Sequence, residues 1–177
     1  MNITFITGNL GKVKYAELWL GHSLKHHKLD LDEIQSLVLQ EVVEHKVRQA
    51  FGMLGKTVLV EDTSLEFEAM NGSPGPLIKW FDASNIICRM LDGFDTRSAT
   101  ARTCYGLFDG HDIRFFEDVM RGSIAVKPRG KGWGWDDVFI NDGYDITRAE
   151  MDEQTYEKTS YRKTALNKLD KYLQSQG

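Results

Sequence analysis

The chain has 177 residues, 41% hydrophobic and 27% charged, with 22 basic and 26 acidic groups and a formal net charge of -4. That is enough chain for one domain, or for two lobes on one sheet, burying roughly 70% of the unfolded surface. The acidic balance argues against a broad nucleic-acid footprint, no apolar run reaches the ~20 residues a membrane span needs, and the first residues lack a basic then apolar leader.

Residues 2–7 carry Ile3, Phe5 and Ile6 and read as a first strand, broken at Gly8-Asn9. Val13, Ala16 and Leu20 then fall on one helical stripe that ends near Gly21. Residues 29–39 read as a short extended stretch containing Glu33. Val43, Val47, Ala50, Phe51 and Leu54 give a second helix over 40–54. Thr57-Val58-Leu59-Val60 is wholly apolar after its threonine, the pattern of a strand buried on both faces, and is expected to end in Glu61-Asp62. Residues 72–76, Gly-Ser-Pro-Gly-Pro, form a stiff loop, followed by a helical region over about 79–93. Residues 99–108 and 112–126 read as two strands joined at Asp109-Gly110, a hairpin signal. Residues 128–136 are Gly-rich and aromatic, and a helix from Ser160 carries Ala165, Leu166, Leu169, Tyr172 and Leu173 on one stripe. The order is α/β with an antiparallel insertion, without repeats or linkers.

Five clusters carry chemistry. Thr7-Gly8-Asn9-Leu10-Gly11-Lys12 lies between a strand and a helix, where backbone N–H groups and the positive dipole end attract phosphate; its spacing is not that of a Walker A loop, and a plain turn with a solvated lysine reads equally well. Glu61-Asp62-Thr63-Ser64 places two carboxylates at a strand end, where α/β sheets bind ligands; hard oxygen donors suit Mg²⁺, and Glu33 is a second acid brought near only by the fold. Gly72-Ser73-Pro74-Gly75-Pro76, followed by Lys79-Trp80-Phe81, is a stiff loop ending in a lysine and aromatics that could shape one wall of a cleft or serve as a structural turn with core aromatics. Gly130-Lys131-Gly132-Trp133-Gly134-Trp135-Asp136 sets aromatics beside a carboxylate in a Gly-rich loop, a combination that can stack on a base and read ring N–H groups. Ser160-Tyr161-Arg162 opens the last helix with a bidentate donor. Cys88 and Cys104 read as buried reduced thiols, which suits the cytoplasm. The five histidines, at 22, 26, 27, 45 and 111, read as surface residues without metal spacing.

Taken in order, residues 7–12, 60–64, 72–81, 132–136, Ala149-Glu150-Met151 and 160–162 resemble the inosine triphosphate pyrophosphatase family over nearly the whole chain. The resemblance implies an elongated mixed β-sheet with flanking helices, and two lobes around a central nucleotide-binding cleft, the whole chain (1–177) forming a single domain. It implies a cytoplasmic homodimer that hydrolyses ITP, dITP and XTP to monophosphate and pyrophosphate with Mg²⁺, cleansing the nucleotide pool. By position, Thr7, Gly8, Asn9 and Lys12 hold the triphosphate, and Thr63, Lys46 and Lys79 contact the substrate. Glu33 and Asp62 serve the metal, and the catalytic set is Asp62, Lys12 and Glu61. Trp133, Gly134, Trp135 and Asp136 enclose the base, Tyr161 lies beside it, and Arg162 reads its 6-oxo group.

The sequence departs from the family at several points. Tyr161 stands where histidine is usual. Tyr156 stands where a lysine is usual, with Lys158 two places later, and Trp133 and Asn141 replace phenylalanine and proline. Glu33 aligns through a one-residue gap. Two other readings stay open: a non-catalytic or altered-specificity nucleotide-binding paralogue, and a Maf-like pyrophosphatase for modified nucleotides.

Overall fold

A computed structural model describes residues 3–81 and 84–176. The elements in chain order are β1 (Thr4–Ile6), α1 (Leu10–Leu20), β2 (Lys25–His27), α2 (Leu39–Leu54), β3 (Val58–Phe67), β4 (Pro74–Gly75), α3 (Ser84–Arg89), β5 (Ser98–Phe108), β6 (Ile113–Ile124), β7 (Phe139–Asn141), α4 (Glu153–Lys158) and α5 (Tyr161–Ser175). Short 3-10 turns cover Glu68–Met70, Pro76–Phe81 and Arg148–Glu150. The seven strands form one mixed sheet in the order β2-β1-β3-β5-β6-β7, with β4 paired to β3. β1 runs parallel to both β2 and β3, while β4 and β7 pair antiparallel with β3 and β6. The α/β class with flanking helices is therefore as the sequence suggests.

The chain gathers into two compact units. The first comprises Met1–Thr63, Thr103–Asp118 and Arg162–Gly177, and the second Ser64–Arg102 and Val119–Tyr161. In the first unit the strands alternate their side chains between two cores. Phe5, Leu59, Tyr105 and Leu107 pack with Val13, Ala16 and Leu20 of α1 and with Ala165, Leu166 and Leu169 of α5. Ile6, Val58, Val60, Cys104 and Phe108 pack with Leu39, Val43, Val47 and Ala50 of α2. Both faces are thus covered, which is why Val58-Leu59-Val60 is apolar without interruption. The second unit has its own core, where Leu65, Phe67, Ala99, Ala101, Met120, Ile124 and Phe139 meet Ile87, Cys88 and Leu91. Burial raises the pKa of both free cysteines, so neither is a reactive thiolate.

Several expectations need correction. β3 does not end at Glu61-Asp62 but runs on to Phe67, because Leu65 and Phe67 are fully buried and continue the inward positions. Residues 29–39 hold no strand; the extended segment is Lys25-His26-His27, exposed throughout and joined to β1 through backbone alone. Residues 72–76 are not wholly loop, since Pro74 and Gly75 pair with Glu66 and Leu65. The stripe over 79–93 resolves into a 3-10 turn and the short α3, and Asp82 and Ala83 of that stretch lie outside the described residues. The second hairpin strand ends at Ile124. The Asp109-Gly110 turn closes as an Asx turn, in which the Asp109 carboxylate accepts from the N–H groups of His111 and Asp112 at 2.8 and 3.0 Å. His45 is half-buried, not on the surface, because it lies on α2 beside Lys46 and Val47. Among the described residues no helix is long and apolar enough to cross a membrane.

Candidate functional site

In the first unit, α1 begins at a cap formed by Asn9, whose side-chain oxygen accepts from the N–H of Gly11 at 2.9 Å and of Lys12 at 3.4 Å. The Thr7 hydroxyl accepts from the Asn9 N–H at 3.1 Å. The helix start is therefore fixed by its own side chains, and two of the N–H groups expected to be unpaired are held by the cap. The dipole end and the Lys12 ammonium remain the positive features of the turn.

Adjacent strand residues point to opposite faces, and this separates the two acids of β3. Glu61 shares the face of Leu59, against α1 and α5. Its side chain is 1% exposed, with Oε2 2.5 Å from Lys12 Nζ and Oε1 3.3 Å from Arg162 Nε. The Thr103 hydroxyl donates to the same Oε1 at 3.3 Å. Burial by itself would raise the Glu61 pKa, but Lys12 and Arg162 outweigh it and hold the carboxyl below its ordinary range. Glu61 is thus an ionised, fully engaged anchor for the two cations.

Asp62 shares the face of Val60, against α2. Its Oδ2 lies 2.5 Å from Lys46 Nζ, and the same ammonium donates to Glu33 Oε1 at 2.8 Å. The Asp62 Oδ1 accepts from the Thr63 N–H at 3.0 Å. Glu33 and Asp62, 29 positions apart in the sequence, therefore converge on one cation. Two hard carboxylates directed at a single positive charge fit Mg²⁺, which takes one or two carboxylates and completes its shell with phosphate oxygens and water. Among the described residues no three His, Cys, Asp or Glu side chains form a cage. The structure brings Asn9, Lys12, Glu33, Lys46, Glu61, Asp62 and Arg162 into two linked clusters on either side of β3.

The second unit holds the aromatic loop. Trp133 is partly exposed, Trp135 packs against the core, and Asp136 is buried. Gly132 is required by close approach, since a Cβ there would lie 2.5 Å from the Asp136 Cβ. The Asp136 Oδ2 accepts from the Trp133 N–H at 3.2 Å and from the Tyr156 hydroxyl at 2.9 Å, while Arg148 Nε donates to Oδ1 at 3.3 Å. Tyr161 is buried in the core of this unit, so its ring is a packing element. Lys79 is exposed, with its ammonium 4.5 Å from the centre of the Trp80 ring. A cavity of about 410 Å³ also lies in this unit, lined by Glu66, Glu68, Ser98, Thr100, Arg121 and Asp142 among others. Of the clusters singled out in the sequence it touches only Gly72 of the stiff loop, and its excess of carboxylates over guanidinium does not suit a polyphosphate.

Sequence reasoning missed Thr103 and Arg148. Nothing in the sequence marks Thr103, an unremarkable position in a strand. Arg148 precedes the matched Ala149-Glu150-Met151, and that adjacency was its one available signal.

The chain matches the Ham1 family over residues 3–172 and belongs to that family. It is 42% identical to an inosine triphosphate pyrophosphatase of Yarrowia lipolytica, over 98% of this chain and 96% of that one. It is 39% identical to the enzyme of the same name from Schizosaccharomyces pombe, over 99% and 96%. The fold is similar to that of the Ham1 protein of Staphylococcus aureus, with a TM-score of 0.83 at 22% identity over 99% of this chain and 100% of that one. It is also similar to that of a HAM1 protein from Coxiella burnetii, with a TM-score of 0.82 at 24% identity over 98% of each.

Proposed function

We propose that this protein hydrolyses non-canonical purine nucleoside triphosphates, ITP, dITP and XTP, to the monophosphate and pyrophosphate. The observation that carries the reading is the full-length similarity to proteins named inosine triphosphate pyrophosphatase. None of the relatives named above carries the Maf-like name, and the retained acids of β3 favour an enzyme over a binding paralogue.

Glu33 and Asp62 would hold Mg²⁺, which would neutralise phosphate charge and polarise the reacting phosphorus. Thr7, Gly8, Asn9 and Lys12 bind the triphosphate at the start of α1, Lys46 and Lys79 contact its phosphates, and Thr63 contacts the substrate. Asp62 takes the proton of the attacking water. The water oxygen bonds to the α-phosphorus as the bond from that phosphorus to the bridging oxygen breaks, releasing pyrophosphate. Glu61, buried and paired on both oxygens, acts by holding Lys12 and Arg162 in place. Trp133, Gly134, Trp135 and Asp136 enclose the base, and Arg162 donates to the 6-oxo group. ATP is disfavoured because its exocyclic amine would face donors, and a mismatched buried polar group is costly. We also infer a homodimer, with no nucleic-acid partner, working in the cytoplasm; the two buried free thiols support a reducing compartment.

The test is incubation of the purified protein with ITP, XTP, dITP, ATP and GTP, with and without Mg²⁺, resolving the products by ion exchange. Monophosphate and pyrophosphate, formed only with metal and faster from ITP than from ATP, are expected. Inorganic phosphate as the first product, or no turnover of any of them, would overturn the reading.

A further inference from the structure

Arg148 is the most deeply buried cation whose partners the structure defines, and the proposed chemistry does not use it. Only 2% of it is exposed. It sits on the 3-10 turn Arg148–Glu150, which is closed by a capping box between Thr147 and Glu150. Its guanidinium carbon is 4.1 Å from the centre of the Tyr156 ring. Its Nε donates to Asp136 Oδ1 at 3.3 Å, and Nη1 donates to the Thr159 hydroxyl at 3.0 Å and approaches Met120 Sδ at 3.2 Å. A buried charge requires a counter-ion, and Asp136 supplies it.

Asp136 is in turn fully used. One oxygen faces Arg148, the other accepts from Tyr156 and from the Trp133 backbone, and its own carbonyl accepts from the Ala149 N–H at 2.9 Å. The carboxylate is thus the hub that fixes the backbone of Trp133, rather than an acceptor turned outward to ring N–H groups. The resemblance leads one to expect a lysine at 156, and the phenol there provides a donor but no positive charge. Arg148 restores the charge from a different element and stacks on that same phenol.

We propose that Arg148 is a positioning residue for the base-enclosing loop, holding residues 133–136 through Asp136 with Tyr156 as the second support. The inference rests on the reading of that loop as the base site. Its consequence is that base affinity depends on a cation that never touches the nucleotide.

The test uses the full chain in a Trp19→Phe, Trp80→Phe background, so that Trp133 and Trp135 are the fluorescent reporters. Arg148→Met, Arg148→Lys and Tyr156→Phe are compared for steady-state kinetics with ITP and for acrylamide quenching without nucleotide. Losing a hydrogen bond to a charged group is worth about tenfold or more, so Arg148→Met should raise KM for ITP by about that factor. Because binding is lost and not transition-state stabilisation, kcat should stay within about threefold. Quenching should rise in parallel, Arg148→Lys should recover part of both effects, and Tyr156→Phe should show a smaller change in the same direction. If Arg148→Met does not fold, Tyr156→Phe decides by the same readouts. Unchanged KM with unchanged quenching in folded variants, or a fall in kcat alone, would overturn the proposal. Should the parent protein fail to hydrolyse ITP, the functional reading fails, while the quenching comparison still decides whether Arg148 holds the loop.

Discussion

Replacing Glu61 by glutamine removes one charge from between two cations while preserving shape. The side chain is 1% exposed, and its partners Lys12 and Arg162 retain 21% and 13% side-chain exposure. Breaking a buried pair by removing one partner costs about 3–5 kcal/mol. Lys12 is the more exposed partner and can turn toward water, which places the expected loss near the lower end, about 3 kcal/mol. For a chain of this size that corresponds to a fall in Tm of about 6–12 °C. Because the folded pKa of Glu61 is depressed, its contribution is present above the unfolded value of about 4.3 and is lost as the pH falls through the lower folded value. The gap between wild type and Glu61→Gln should therefore be full near neutrality and close progressively below about pH 4. Urea unfolding across that range, with Lys12→Met added to both backgrounds, gives the coupling directly; about 1 kcal/mol or more is expected. A Glu61→Gln variant within about 0.5 kcal/mol of wild type at neutral pH would refute the account of Glu61 as a buried anchor.

Other substitutions test separate links. Asp62→Asn should reduce pyrophosphate release by about 10²–10⁴-fold while circular dichroism stays native, as expected for loss of the proposed proton acceptor at a partly buried surface position. Asn9→Ala removes the cap that holds the Gly11 and Lys12 N–H groups and should cost about 1 kcal/mol in urea unfolding. Gly122→Ala would bring a Cβ within 2.0 Å of the Ile140 carbonyl oxygen, where β6 pairs with β7. Since backbone must then move, a loss of about 1–3 kcal/mol is expected, read as a lower Tm.

How much of this was legible in the sequence depended on whether an element announces itself through apolar side chains. The three long helices did, because Val13-Ala16-Leu20, Val43-Val47-Ala50 and Ala165-Leu166-Leu169 recur at helical spacing and end up buried. β1 and the core of β3 did for the same reason. β2 did not: Lys25, His26 and His27 are all exposed, and only backbone hydrogen bonds to β1 make them a strand. α4 carries no buried residue, so its 3.6 period has nothing to mark it. The Glu61-Asp62 pair was found as chemistry but misplaced as a strand end, since two charges in succession look like a surface. Arg148 shows the same limit, because burial of a cation becomes visible only once Asp136, 12 positions earlier, is folded against it.

The geometry of β3 resolves a division of labour that adjacency in sequence conceals. Neighbouring residues in a strand face opposite ways, so Glu61 and Asp62 meet different helices and acquire different partners. Glu61, desolvated against α1 and α5, is stabilised as an anion by two cations and has no lone pair turned to water. A carboxylate in that state is a poor proton acceptor, because taking a proton would strand Lys12 and Arg162. Asp62, on the α2 face with its side chain 19% exposed, is held by one ammonium shared with Glu33 and is the acid proposed above to give up that partner for a metal and a water proton. A slip of β3 by one residue would reverse the assignment, turning the aspartate toward α1 and α5 and the glutamate toward α2. The parallel register of β1 with β3, Thr4 opposite Val58 and Ile6 opposite Val60, sets the faces on which Leu59 and Val60 lie and hence those of the acids that follow them.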